Sequence, residues 1–193
     1  MSEQETSPQA SPGPPAALRR RSAYVGLLQT WLRDLIISVC ISIFIIIFLY
    51  QPVKVEGTSM LPGLADQERI FVNKFVYRLE PIARGDVVVF RYPRDPSKSY
   101  IKRVIALPGD RVVIDDGRVY VNGQRLAEPY VPDLFRDRRS AHELVVPPGN
   151  YYVLGDHRSL SNDSREFGPV PERFISGKAV FAYWPFTKLG TLR

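Results

Sequence analysis

Three stretches of the sequence hold side chains suited to acyl transfer. Ser59 lies in VEGTSMLPGL (55–64), with Gly57, Pro62 and Gly63 around it. Such a backbone turns sharply and holds a side chain and its own N–H at a surface, as a nucleophile needs; the same residues also make an ordinary turn. Lys102 sits in YIKRVI (100–105) beside Arg103. Strand alternation puts Tyr100, Lys102 and Val104 on one face and Ile101, Arg103 and Ile105 on the other, so one of the two bases must point away from the face the other uses. An exposed lysine of pKa near 10.4 is neutral only about one part in a thousand near pH 7.4. Burial on the side of Val104 would disfavour the ammonium form, lowering the pKa by up to ~3–5 and making Lys102 a base. The other reading is a stem covering apolar surface with its head in water. The third stretch, GDHRSLSNDSREFGPVP (155–171), gathers Asp156, Arg158, Asp163 and Arg165 with Ser159, Ser161 and Ser164. Asp–Arg pairs brace a loop bidentately. That accounts for the charges and leaves the serines unexplained.

Composition narrows the alternatives. The 193 residues suit one domain plus an anchor, and the net charge of +6 suits nucleic acid or an anionic membrane. Mixed charges without a long basic run weaken the nucleic-acid reading. Cys40 is the one cysteine, which excludes an internal disulfide, and His142 and His157 are the only histidines, which argues against a structural zinc site.

The elements that must position these residues fall into three parts. Residues 1–30, rich in Pro, Ser and Ala at their start, read as a disordered cytoplasmic tail. Residues 31–53 read as a membrane anchor, because Leu35 to Val53 carry no formal charge and about 20 such residues in a helix cross a ~30 Å hydrocarbon layer. Pro52 ends that helix, Trp31 and Tyr50 suit its interfaces, and Arg19, Arg20 and Arg21 place its N-terminal side in the cytoplasm. A cleaved leader fits less well, since Gln51-Pro52-Val53-Lys54 offers no pair of small residues. Residues 54–193 read as an extracytoplasmic β domain. RIFVN (69–73), DVVVFRY (86–92), YIKRVIA (100–106), RVVID (111–115), RVYV (118–121), ELVV (143–146) and YYVLG (151–155) are strand-like, and Asp116-Gly117 and Asn122-Gly123 are hairpin turns.

VEGTSMLPGL resembles the nucleophile box of type I signal peptidases, which usually ends Ser-Met-x-Pro-Thr. RGDVVVF (84–90) with YIKRVIALPGD (100–110) resembles the family's lysine box, and GDHRSLSNDSREFG its C-terminal box. The resemblance extends from Val53 to Pro171. It implies a mainly β, antiparallel-sheet catalytic domain of the signal peptidase type, preceded by a single N-terminal transmembrane helix. It implies a membrane-bound serine endopeptidase that removes N-terminal signal peptides from exported preproteins, with Ser59 as nucleophile and Lys102 as general base. Ser161 matches the serine that hydrogen-bonds and orients the lysine, and Asp163 and Arg165 match a structural ion pair. Three departures stand out: Gly63 replaces the usual threonine, His157 the usual asparagine, and Gly57 a serine whose hydroxyl, in some members, helps form the oxyanion hole. Backbone N–H groups, chiefly that of Ser59 with Gly57 beside it, are left to hold the oxyanion. The resemblance implies no cofactor and no metal. The implied partners are signal peptides, the lipid bilayer and the protein export machinery, not nucleic acid, and the implied place is the inner (plasma) membrane. Three rivals are a soluble Ser–Lys peptidase of the self-cleaving repressor type, against which the apolar helix at 35–53 speaks, Ser–His chemistry through His157, against which the lysine box speaks, and a non-catalytic tethered β module, against which the presence of both Ser59 and Lys102 speaks.

Overall fold

A computed structural model describes the backbone of residues 16–192 and the side chains of residues 28–44 and 49–192. The chain divides into two units, Met1–Ile46 and Ile47–Arg193. The first is dominated by helix α1 (Ala16–Leu49), whose described side chains are exposed on every face, among them Leu32, Ile36, Ile37, Val39, Ile41 and Ile43. Two expectations change here. Residues 16–30, expected within the tail, are helical, because Ala16-Ala17-Leu18 and the three arginines are strong helix formers once the run of prolines has passed. The helix also stops at Leu49 rather than at Val53. The residue before a proline is driven out of the α region, and Tyr50–Lys54 instead forms strand β1. Residues 1–15 of the expected tail lie outside the described residues. Among the described residues no helix is long and apolar enough to cross a membrane.

In the second unit β1 pairs antiparallel with β2 (Arg69–Asn73), and Pro52 is tolerated there because β1 is the edge of its sheet and loses no needed N–H. After the one-turn helix α2 (Val76–Leu79) come β3 (Val87–Tyr92) and the long β4 (Asp95–Ala106). Strands β5 (Arg111–Asp115), β6 (Arg118–Val121) and β7 (Gln124–Arg125) are joined by tight turns in which Asp116, Gly117, Asn122 and Gly123 all have positive φ, as the two dipeptides require. Strands β8 (Ala141–Val145) and β9 (Asn150–Leu154) follow, then helix α3 (Ser164–Phe167), β10 (Val170–Pro171), β11 (Ile175–Trp184) and β12 (Gly190–Thr191). The larger sheet has the order β1-β2-β11-β3-β4-β9-β10, with β12 on β11; the smaller has the order β7-β6-β5-β8. Every pairing is antiparallel, so the domain is mainly β, as expected.

The one cysteine leaves no internal disulfide, and three apolar clusters form the core of this unit. Val55, Met60, Leu64, Ile70 and Val72 form one apolar cluster, Val88, Phe90, Val104 and Val153 a second, and Ile105, Val112, Ile114 and Leu154 a third. Each such side chain contributes about 1.5–3 kcal/mol on burial. Val104 and Ile105 lie in different clusters, which confirms the alternation read along β4 and shows that this strand is covered on both faces. Strand β11 approaches β2 so closely that a Cβ on Gly177 would lie 2.4 Å from the Asn73 carbonyl oxygen. Gly177→Ala is therefore expected to lower stability of the detergent-solubilised chain in urea by about 1–3 kcal/mol. Gly190→Ala, whose methyl meets nothing within 4 Å, is expected to stay within about 0.5 kcal/mol of the parent. Equal effects of the two would contradict the close approach.

Candidate active site

Ser59 rides on the connection between β1 and β2. The ladder of these strands continues past their ends: Val55 N–H donates to the Glu68 carbonyl at 2.8 Å, and Gln67 N–H to the Val55 carbonyl at 2.9 Å. One step further, Gly57 N–H donates to Asp66 Oδ1 at 2.8 Å, and this bond holds the Asp66 carboxyl below its ordinary range. Gly57 has φ +96°, a backbone state that glycine adopts cheaply. Tight turns follow, closed by Leu61 N–H to the Thr58 carbonyl at 3.2 Å and Leu64 N–H to the Met60 carbonyl at 2.9 Å. Met60 and Leu64 plug this loop into the cluster of Val55 and Ile70. His157 N–H donates to the Ser59 carbonyl at 3.0 Å, while the N–H of half-buried Ser59 has no partner among the described residues.

Lys102, on β4, is only 4% exposed. Its Nζ lies 2.7 Å from Ser59 Oγ and donates to the Ile101 carbonyl at 3.0 Å. Burial pulls its pKa from 10.5 down to about 8, against the opposing charges of Asp163 and Asp156. At pH 7 about a tenth of such amines are neutral, against fewer than one in a thousand exposed ones. Strand β4 pairs with β3 from Asp95 to Arg103 but with β9 only from Arg103 to Ala106. One edge of β4 is thus open at residues 99–102. That edge and residues 53–60, with Val89, Leu160 and Asn162, line a cleft of about 560 Å³.

The loop after β9 presses against the loop of Ser59. A Cβ on Gly155 would lie 2.2 Å from Ser161 Oγ and 2.5 Å from the Ser59 carbonyl oxygen, so only glycine fits. Buried ion pairs hold this loop. Asp163 accepts from Arg165 Nε and Nη2, both at 2.8 Å, and from Gly155 N–H at 3.1 Å. Burial alone would raise the Asp163 carboxyl, but Arg165 outweighs it and holds the group below its ordinary range. Arg165 also donates to Asp137 and to the Arg158 carbonyl, both at 2.8 Å. Asp156 accepts from Arg103 Nε at 2.9 Å and Nη2 at 2.7 Å; here burial prevails, and the carboxyl is pushed up in spite of the arginine. Arg158 pairs with Glu128, both almost fully buried. Such pairs add little net stability, yet removing one partner costs about 3–5 kcal/mol, so their effect is to fix geometry.

The structure brings Ser59 and Lys102 together and pairs Asp163 with Arg165. Two expected contacts are absent. Among the described residues the buried Ser161 hydroxyl makes no hydrogen bond of normal geometry, although it lies close enough to Asp163 to help hold that carboxyl down, and Lys102 Nζ turns to the Ile101 carbonyl instead. The Gly57 N–H is committed to Asp66, whereas that of Ser59 has no partner among the described residues. His157 meets Ser59 only through its backbone; its ring packs on Phe135 at 4.3 Å, and Nδ1 lies 3.2 Å from Ser159 Oγ. Sequence reasoning missed Arg103–Asp156, Glu128–Arg158 and Asp66. The first two pairs join residues 53 and 30 positions apart, beyond any local spacing rule. Among the described residues no group of three or more His, Cys, Asp or Glu side chains is placed to hold a metal ion.

Comparison with known proteins gives this arrangement its context. A family model described as signal peptidase, peptidase S26, matches residues 28–184. A signal peptidase I of Bacillus amyloliquefaciens is 40% identical over 169 residues, covering 81% of this chain and 85% of its own. A signal peptidase I of Bacillus licheniformis is 36% identical over 171 residues, covering 84% and 91%. A crystal structure of a signal peptidase I from Enterococcus faecalis V583 aligns with 51% of this chain and 97% of its own, at 32% identity and a TM-score of 0.44. The family match across most of the chain, and relatives of that identity and coverage, mean that this chain belongs to the signal peptidase family, peptidase S26, and is a serine endopeptidase of the type I signal peptidase kind.

Proposed function

We propose that the chain removes signal peptides from exported preproteins through an acyl-enzyme on Ser59, with Lys102 as general base. The observation that carries this is a lysine amine 4% exposed and 2.7 Å from a serine hydroxyl at the floor of an open cleft. Neutral Lys102 accepts the Ser59 proton as Oγ attacks the scissile carbonyl. Donation from Nζ to the Ile101 carbonyl keeps the nitrogen lone pair free for that proton. The Ser59 N–H stabilises the oxyanion. The Lys102 ammonium then protonates the leaving amine, the mature chain departs, and water attacks the ester with the same amine as base.

An extended peptide fits the open edge of β4 at residues 99–102, where unpaired backbone groups can take it as an added strand. Val55, Val89, Tyr100 and Ile101 give that part of the cleft a shallow apolar lining, which suits small side chains, Ala above all, one and three residues before the cut. Ser59→Ala and Lys102→Met are each expected to lower cleavage of an Ala-x-Ala preprotein by at least about 10³-fold, with melting temperature unchanged or raised. His157→Ala is expected to keep most of the activity. Substantial turnover by either of the first two variants would contradict the proposal, and its loss in the third would favour Ser–His chemistry.

The bilayer and the export machinery enter as proposed partners through the segment from Leu35 onward. Its uncharged run, basic N-terminal flank and apolar character on all faces support an anchor with the catalytic unit outside the inner membrane. The chain is expected to stay with membranes after alkaline carbonate extraction. Ile41→Lys combined with Ile43→Lys, each costing about 2.5–3.5 kcal/mol in hydrocarbon, is expected to release it. Release of the parent chain would contradict the anchor.

A further inference from the structure

We propose that Asp66 is a positioning residue of the oxyanion hole, holding the Glu56–Gly57 peptide, two residues before the nucleophile, so that the Ser59 N–H is presented to substrate. The proposal rests on the reading of Ser59 as nucleophile. Backbone pairing between the two limbs of the loop ends at Val55 with Gln67 and Glu68. The next rung has no backbone acceptor, because the chain turns back there: Gln67 has φ +67°, and Glu68 N–H donates to the Ala65 carbonyl at 3.3 Å. The Asp66 side chain supplies the missing acceptor. Its two oxygens are engaged separately, Oδ1 by Gly57 N–H at 2.8 Å and Oδ2 by Gln67 Nε2 at 3.1 Å, so the plane of the carboxylate is fixed.

Among the described residues Gly57 N–H donates to Asp66 alone. A Cβ built on it meets no atom within 4 Å, so its left-handed conformation is not enforced by packing. Two residues on, Ser59 N–H lacks an internal partner among the described residues. Release of Gly57 would let the Gly57–Thr58 segment rotate and take that donor out of line. The fold would survive, because buried Met60 and Leu64 anchor the far limb of the loop independently. An exposed side chain would thus govern rate without governing stability.

The test uses the detergent-solubilised full chain and an Ala-x-Ala substrate. Asp66→Ala is expected to lower kcat about tenfold or more, with KM within about twofold and the melting temperature unchanged. Asp66→Asn, which keeps an oxygen acceptor for the Gly57 N–H, is expected to restore most of the lost kcat. Wild-type kcat in Asp66→Ala would overturn the proposal. So would an Asp66→Asn variant as slow as Asp66→Ala, since charge rather than positioning would then be at issue. Loss of folding in Asp66→Ala would also overturn it, by making the residue structural. Turnover by Ser59→Ala would sink the nucleophile reading itself, whereas an inactive Ser59→Ala beside a fully active Asp66→Ala would sink only the positioning role.

Discussion

An ammonium in water keeps its proton at neutral pH, and the site is organised around removing Lys102 from water. Strand β4 does most of this. It is central in the larger sheet, covered on both faces, and carries Lys102 at the point where one neighbour, β9, falls away. The amine is therefore dry, yet the edge beside it stays open for an extended peptide, which would dry it further. Two carboxylates nearby, Asp163 and Asp156, act in the contrary direction. Each is tied to an arginine by two hydrogen bonds, so much of its charge is answered locally and the burial of Lys102 prevails.

Those ion pairs also explain how irregular backbone reaches the precision the chemistry needs. The loop of Ser59 and the loop of Gly155 touch through bare backbone, with no room for a methyl group between them. Two buried apolar side chains hold the first loop, and Arg165, Arg158 and Asp156 hold the second. Removing one partner of a buried pair strands a charge, so each pair behaves as a latch. In the proposed dyad, holding Ser59 Oγ and Lys102 Nζ 2.7 Å apart before substrate arrives would supply the entropic part of catalysis.

Much of this was legible in the residues. Each of the seven strand-like runs coincides with a strand, with only Asp86, Val146 and Gly155 falling one residue outside, because alternating β-branched residues between turn dipeptides describe a half-buried pleated surface well. Asp116-Gly117 and Asn122-Gly123 form the turns their φ preferences dictate. Strands β1 and β11 were harder. Tyr50–Lys54 directly follows an apolar helix and belongs to the same uncharged run as far as Val53, and β11 (Ile175–Trp184) carries Ser176-Gly177 inside the strand, where a glycine reads as a break. At the site, alternation along β4 correctly separated Lys102 from Arg103, but it did not say what becomes of Arg103. Both are buried, because a distant acid, Asp156, compensates Arg103. Gly57 shows the same limit. The family resemblance set it beside the oxyanion hole, and only the fold reveals that Asp66 already holds its N–H.

The most direct test of the dry amine is the pH dependence of Ser59 acylation, followed as the burst of product in a single turnover. Only the neutral amine can accept the serine proton, so the rate should rise about tenfold per pH unit below neutrality and level off above pH 9. An apparent pKa near the value of about 8 set by burial is the expected result. A midpoint near that of an exposed lysine, about 10.4, or a rate indifferent to pH would contradict the claim that Lys102 is the base.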